Sequence, residues 1–374
     1  MIALFISNDP SIFMRDSAAR ERMRRYAEAI GELHVVSSAP RGAERTREGG
    51  LTLYPIAPGA FRLVRQLRVA RRVARECRAE VVSSQDPFEH GLIARIVARA
   101  CRAGFHVQVH TDFLSPHFLA GSIKNRIRAL IADRILIRAD AIRVVSLRIA
   151  KDLVARYGRR IKEPSVLPIA PGIHPDAPVA LPPHEFSFVC LYVGRLEREK
   201  RAQDVVEAVK EARKKHSSVG LFIAGLGREE RRLRALVRRE HLTDVVIFLG
   251  ERPDVLGLMR SAHALVQASA YEGYGRTLLE AAIARLPIIS TEVGVIGSVL
   301  MPEREVLAAP VADTYSLARQ LLRLVEDEQL RRALIVNAEA AALAHLAPLQ
   351  SLPELVAEDL LRALGAPGNQ GGVG

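Results

Sequence analysis

Short apolar runs recur along the chain, separated by longer stretches in which apolar positions return every three or four residues. In the first half the runs are IALFIS, LHVVSS, LTLYPI, VVSS at 81 to 84, HVQVH and AIRVVS. In the second they are FSFVCLYVG, GLFIAG, VVIFLG, ALVQAS, PIIST and EVLAAP. Most are rich in Val, Ile and Leu without strict alternation, the signature of parallel strands buried on both faces. The intervening helical periodicity makes them βαβ units. The expected architecture is α/β, with two Rossmann-like doubly wound domains facing a central cleft. In such sheets ligands bind at the carboxyl ends of the strands.

Proline density in PIAPGIHPDAPVALPPHE, residues 168–185, excludes a helix or a central strand there. The expected division is an N-terminal domain 1–170, a linker 171–185, a C-terminal domain 186–347 and a final helix within 348–365. The tail APGNQGGVG, 366–374, is expected to be disordered.

Composition adds a sizeable core, with 49% hydrophobic and 26% charged residues over 374 positions. No apolar run approaches the ~18 residues of a membrane-spanning helix. The N-terminus MIALFISNDP lacks a basic leader and reads as a strand rather than a signal peptide. Cys77, Cys101 and Cys190 are odd in number and widely spaced, which fits a reducing compartment and a cytoplasmic location. Charge is uneven. Residues 1–185 hold 30 Lys+Arg against 18 Asp+Glu, and the remainder balances at 24 against 24, so the whole net charge of +12 lies in the first half. That half is suited to an anionic partner such as the inner membrane face, a nucleic acid or a polyanionic substrate. Arginine supplies 47 of the 54 cations, so drift in surface composition accounts for the excess almost as well.

The chemistry concentrates in YEGYGRTLLEAAIARLP, 271–287. The strand ALVQAS runs out at Ser269, a glycine loop follows, and a helix begins near Arg276. Its leading N–H groups lack intrahelical partners and suit a phosphate. Gly273 and Gly275 allow close backbone approach. Glu280, one turn in, can accept hydrogen bonds from vicinal hydroxyls such as those of a ribose, and Glu272 can do so for a second sugar. Spacing alone supports a capped helix with a solvated glutamate equally well. In LYVGRLEREKR, Gly194 ends a strand and Arg195 and Lys200 follow, two cations that suit a diphosphate. There is no Asp-x-Asp pair and no acid/His cluster, so no metal is expected and the cations would neutralise the phosphates.

Together these segments resemble glycosyltransferase family 4, retaining enzymes of the GT-B fold. The likeness rests on the Glu-x7-Glu motif Glu272–Glu280, on GRLEREK, on the glycine turn AGLG at 224–227, on VQVHTD and on the linker VLPIAPGIHP. The family implies that Arg195 and Lys200 hold the donor diphosphate and stabilise the leaving group. Glu280 would bind the ribose, Glu272 the sugar hydroxyls, and His110 would lie by the transferred sugar. Gly194, Gly225, Gly227, Gly273, Gly275, Arg276 and Thr277 complete the donor site. The family implies transfer of a sugar from a UDP- or GDP-sugar, with no cofactor, to a glycan or lipid-linked acceptor. The C-terminal helix would cross back to the first domain.

Three positions depart from the family pattern. SNDPSIFMRD lacks the paired glycines of the N-terminal loop, Arg201 replaces the glycine after the lysine, and Leu286 replaces a small residue before proline. These bear on acceptor geometry more than on donor binding.

Weaker signals remain. AGLGREE lacks the third glycine of a dinucleotide fingerprint, since Glu230 stands there. His90 has no assigned role, and Asp112 reads as a turn cap. The segment 61–78 is the clearest amphipathic helix, with Leu63, Leu67, Ala70, Ala74 and Cys77 on one face and Arg65, Arg68, Arg72 and Arg75 roughly opposite. Its basic face and the apolar loop 112–121 are candidates for peripheral contact with anionic lipid. The rival functions are a nucleotide-sugar epimerase or phosphorylase on the same fold, or a basic nucleic-acid-binding protein. At 5% aromatic residues and no Trp, stacking platforms for nucleic acid are scarce.

Overall fold

The computed structural model describes residues 1–169 and 181–365. Most of the segment expected to be the linker, and the whole of the tail 366–374, lie outside the described residues. The chain divides into two compact units. One is Met1–Pro168 together with the stretch beginning at Ser351, and the other is Ile169–Gln350.

The first unit is built on β1 (Ile2–Ser7), β2 (Glu32–Ser38), β3 (Thr46–Glu48), β4 (Leu51–Ile56), β5 (Val81–Ser84), β6 (Gly104–Val109), β7 (Ala141–Val144) and β8 (Ser165–Val166). The sheet order is β3-β4-β2-β1-β5-β6-β7-β8. All neighbours are parallel except β3, which pairs antiparallel with β4. The apolar runs predict every strand here except β3 and β8. β3 reads TRE and carries no apolar residue. It forms because the Gly49-Gly50 turn folds it onto β4, with Gly49 at φ 55°. β8 is only two residues long, too short to show a pattern.

The second unit contains β9 (Phe188–Val193), β10 (Val219–Ala224), β11 (Val246–Gly250), β12 (Ala264–Gln267), β13 (Ile288–Thr291) and β14 (Leu307–Ala309). They lie in the order β11-β10-β9-β12-β13-β14, all parallel. The order reverses at β9, whose neighbours are β10 on one side and β12 on the other. That reversal opens a crevice at the carboxyl ends of β9 and β12. Cys190, Leu221, Ile223, Val266 and Ile289 are among the fully buried strand residues of its core.

The amphipathic helix is Arg62–Glu76, and its inner face differs from the sequence reading. Gln66, Ala70, Val73 and Ala74 are buried, whereas Leu63 is exposed and Leu67 and Cys77 are only partly covered. The cause is Gln66. Its amide donates to Ser7 O at 2.7 Å and Val36 O at 3.2 Å, satisfying carbonyls near the carboxyl ends of β1 and β2. The helix turns that residue inward, and Leu63 turns out. The segment 112–121, expected to be a loop, ends in a short helix, Pro116–Gly121, and its leucines Leu114 and Leu119 are partly covered. Phe113 and Phe118 are buried and pack on Phe88, edge-on and stacked respectively, so these rings are core and not a lipid grip.

The C-terminal helix Leu352–Arg362 belongs to the first unit and packs against the helix Ala18–Ile30. Gly104 permits its approach, because a Cβ there would meet Ala363 O at 2.6 Å.

Candidate active site

The loops after β9 and β12 meet at the crevice of the second unit. The Lys200 ammonium lies 2.5 Å from Glu272 Oε1, and both side chains are largely covered. Ser269 Oγ donates to the same carboxylate oxygen at 2.8 Å. The backbone ties the loops as well, through Ala270 N–H to Glu199 O at 2.7 Å. Two chemically different groups, an ammonium and a hydroxyl, thus converge on one carboxylate at the switch point of the sheet. Both contacts fall on Oε1, and the second carboxylate oxygen can accept from a ligand hydroxyl.

Arg195 is exposed and weakly paired to Glu199 at 3.4 Å, so its guanidinium is available to an anion. Tyr192 OH donates to Arg195 O at 3.2 Å and fixes the backbone from which that side chain departs. Arg201 stands in the left-handed region at φ 48°, where a glycine would be unstrained. Its guanidinium is spent on Asp204 at 2.6 Å, in the first turn of the helix Ala202–Arg213, so the residue that departs from the family pattern makes a local ion pair.

The glycines of AGLG have a packing reason. A Cβ on Gly225 would meet Gly194 O at 2.0 Å, and one on Gly227 would meet Leu196 O at 2.2 Å. The loops after β9 and β10 therefore lie backbone to backbone, held by Gly194 N–H to Ala224 O at 3.0 Å and Leu196 N–H to Leu226 O at 2.9 Å.

After β12, Gly275 at φ 85° turns the chain into the helix Arg276–Ile283. Arg276 and Thr277 head that helix, and Gly273 lies in the loop before it. Glu280 is one turn in, largely covered, and accepts from Arg276 at 3.1 Å. Tyr274, buried between the two glycines, shares a 2.8 Å hydrogen bond with His345 Nε2. Gly294 lets the loop after β13 lie on this one, since its Cβ would meet Tyr274 O at 2.3 Å.

Arg195, Lys200, Glu272 and Glu280, with their glycines, thus all stand at the carboxyl edge of one sheet. His110 belongs to the first unit and follows β6. Its Nε2 is 3.0 Å from Gln108 Oε1. Desolvation pushes its pKa down to about 3, with the nearby Arg143 adding to the effect, so the imidazole is neutral at ordinary pH. Gln108 Nε2 donates to Ser83 Oγ at 3.0 Å, Ser83 Oγ lies 2.7 Å from His106 Nδ1, and His106 Nε2 lies 2.9 Å from Asp359 Oδ2. The carboxylate can only accept, so the donors run outward from it. His106 Nε2–H donates to Asp359, Ser83 to His106 Nδ1, Gln108 to Ser83, and His110 Nε2–H to Gln108. That leaves His110 Nδ1 as an acceptor.

Gln108, Ser83, His106 and Asp359 escaped the sequence reading. The one signal was the polar alternation of His106, Gln108 and His110 in a strand otherwise read as apolar. Asp112 caps a turn through Ser115 N–H at 3.1 Å. His90 Nδ1 bonds the Asp86 carboxylate.

Among the described residues no group of three or more His, Cys, Asp or Glu is placed to hold a metal ion.

Two family models match in tandem. "Glycosyltransferase Family 4" covers residues 18–177, and "Glycosyl transferases group 1" covers residues 178–341. The N-acetyl-alpha-D-glucosaminyl L-malate synthase of Bacillus anthracis is 31% identical over 144 residues, 38% of each chain. The alignment thus spans well under half the length of that curated relative. The sucrose-phosphate synthase of Thermosynechococcus elongatus superposes with a TM-score of 0.77 at 18% identity, covering 97% of this chain and 99% of the other. HepE of Anabaena, solved with UDP and glucose, superposes with a TM-score of 0.73 at 18% identity, covering 96% and 99%. The two parallel-sheet units are those of the GT-B fold, and the chain belongs to glycosyltransferase family 4.

Proposed function

We propose that the protein is a retaining, metal-independent glycosyltransferase that moves a hexosyl group from a UDP- or GDP-sugar to an acceptor hydroxyl. The observation that carries this reading is the Lys200–Glu272 pair at the switch point, with Glu280 one turn into the adjoining helix. HepE, a neighbour in fold, is described with UDP bound, which supports the nucleotide class.

In this reading Lys200 and Arg195 take the donor diphosphate, aided by the amides that head the helix at Arg276 and Thr277. Glu280 accepts from the ribose hydroxyls and Glu272 from the sugar. The bond between the anomeric carbon and the diphosphate oxygen breaks first, leaving an oxocarbenium-like centre. The acceptor oxygen attacks on the same face, and its proton passes to the leaving diphosphate oxygen. The two cations stabilise the charge that develops on that oxygen, and this is the main catalytic contribution. His110, neutral at working pH, offers Nδ1 as an acceptor to a sugar hydroxyl and is not an acid. The acceptor is a glycan or lipid-linked sugar, which fits the basic first half of the chain, and the enzyme works in the cytoplasm or at its inner membrane face.

Thermal unfolding with millimolar UDP, GDP and ADP tests the site. A ligand at ~100 times its dissociation constant adds about 2.7 kcal/mol. One nucleotide should stabilise the wild type, and Arg195→Ala and Glu280→Ala should lose that response. No response to any nucleotide would overturn the reading. Sugar-nucleotide turnover without acceptor would indicate an epimerase, and dependence on inorganic phosphate a phosphorylase. Product anomer by NMR decides retention, and activity unchanged by chelator is expected.

A further inference from the structure

The helix Ile123–Leu136 follows the short helix Pro116–Gly121, which comes after the loop that carries His110, and it leaves an apolar stripe uncovered. Ile123, Ile127 and Leu130 stand at i, i+4 and i+7 and are 76%, 53% and 55% exposed. This is the reverse of what an ordinary packed helix does. Its inner face is made by Ala129, Ala132, Ile135 and Leu136. That face seats on the helix Glu89–Cys101, where a Cβ on Gly91 would meet Ile135 Cγ2 at 3.0 Å.

The stripe is framed by charge of one sign. Lys124, Arg134 and Arg138 flank it and make no ion pair among the described residues. The guanidiniums of Arg134 and Arg138 bond only backbone carbonyls of their own helix, at 3.1 and 2.9 Å. The acids nearby are already engaged: Asp133 by Arg156 at 3.1 Å, Glu89 by Arg128 at 3.0 Å, and Asp140 by Phe105 N–H at 2.9 Å. On the adjoining helix, Arg95 is held below its ordinary pKa by partial burial and by Arg138 and Arg99 beside it. Guanidiniums crowded in this way, with the neighbouring carboxylates engaged elsewhere, suit an anionic partner.

We propose that this face of the first unit docks on an anionic lipid leaflet, with Ile123, Ile127 and Leu130 at the headgroup–acyl boundary and Lys124, Arg134 and Arg138 on the headgroups. A nucleic acid would satisfy the cations but would gain nothing from three aliphatic side chains. A bilayer interface satisfies both at once. Parallel-strand topology places the N-terminus of this helix at the carboxyl edge of the sheet, where His110 also stands. A lipid-linked acceptor held at that leaflet would therefore enter beside Ile123, the most exposed member of the stripe. Among the described residues no helix is long and apolar enough to cross a membrane, so the contact is interfacial. Docking itself does not rest on the proposed transfer reaction.

The test is co-sedimentation of the full chain with vesicles of phosphatidylcholine carrying 30 mol% phosphatidylglycerol, roughly the anionic content that such a face would require. Wild type should pellet with these vesicles, weakly with pure phosphatidylcholine, and less as salt rises. The double variant Ile127→Asp/Leu130→Asp should lose about tenfold or more in partition. Each of Lys124→Glu and Arg134→Glu should lose about fivefold or more. Unchanged thermal unfolding and nucleotide response of the variants show that the fold and donor site are intact, so failure of the surface is distinguishable from failure of the transfer reading. Absence of pelleting overturns the proposal. So does equal binding by the double variant, or DNA binding that matches vesicle binding. A dimer in solution that Ile127→Asp/Leu130→Asp dissolves would also overturn it, by showing that a second copy covers the stripe.

Discussion

Asp359 Oδ2 lies 2.9 Å from His106 Nε2 across 253 positions of sequence, and both side chains are buried. The contact fastens the C-terminal helix to β6 and ends the hydrogen-bonded series that begins at His110. Asp359 is pulled two ways. Burial raises its pKa, while the hydrogen bond from His106 lowers it, and the net shift is downward. A carboxylate with a lowered folded pKa stabilises fully above its unfolded value and loses that contribution as pH falls through the folded value. The unfolded value is about 3.9. Thermal unfolding from pH 6 downward should therefore show the wild type losing more stability below about pH 4 than Asp359→Asn. Equal acid sensitivity of the two proteins would refute this.

The same series makes Asp359 and His106 positioning residues for His110. Asp359→Asn leaves the volume unchanged but offers an NH2 that can donate where His106 already donates. The tautomers behind it then lose their fixed sense. The expected result is a rise in nucleotide-sugar KM with little change in the thermal response to the nucleotide alone, because the loops assigned to the nucleotide lie in the other unit. A loss of nucleotide response in Asp359→Asn would contradict the assignment.

Lys200→Ala should lower the transfer rate by about 100-fold or more, the usual cost of removing one donor to a developing oxyanion. It also leaves Glu272 covered and without its cation. Glu272→Gln removes the charge and keeps the shape. It should restore stability lost in Lys200→Ala when the two are combined, while activity stays low. Denaturation of the four proteins of this cycle measures the coupling directly.

Gly227→Ala should destabilise the second unit by about 2 kcal/mol or more, because the new Cβ would meet the backbone carbonyl of Leu196 at 2.2 Å and backbone cannot swing aside. The variant should fold less stably even with no nucleotide present. A substitution that only disturbed phosphate binding would leave the ligand-free protein unchanged, so one melting curve separates the two explanations.

Tyr274→Phe removes the hydroxyl at 2.8 Å from His345 Nε2 and takes this hydrogen bond from a half-buried imidazole. The expected cost is about 1 kcal/mol of stability. Because Tyr274 sits between Gly273 and Gly275, donor KM should rise more than kcat falls. Steady-state kinetics with varied nucleotide sugar read the split.

The order of elements was legible in the sequence, because parallel strands buried on both faces must be short apolar runs and the helices between them must repeat every three to four residues. β1, β5, β10 and β13 show this plainly. The stretch from Glu272 to Glu280 was legible for a similar reason, since a glycine at positive φ before a helix and a carboxylate one turn later are local requirements. What the tertiary structure decided were pairings between residues far apart in sequence. Nothing in TRE announces β3, which exists only because β4 is there to pair with. Leu63 has the right periodicity to be core, yet the carbonyls near the carboxyl ends of β1 and β2 demanded Gln66 instead. Lys200 and Glu272 are 72 residues apart, and only the reversal of strand order at β9 sets them 2.5 Å from each other. Periodicity records what each segment must bury, while the partner that buries it, or that satisfies a buried polar group, is chosen by the packing of the whole sheet.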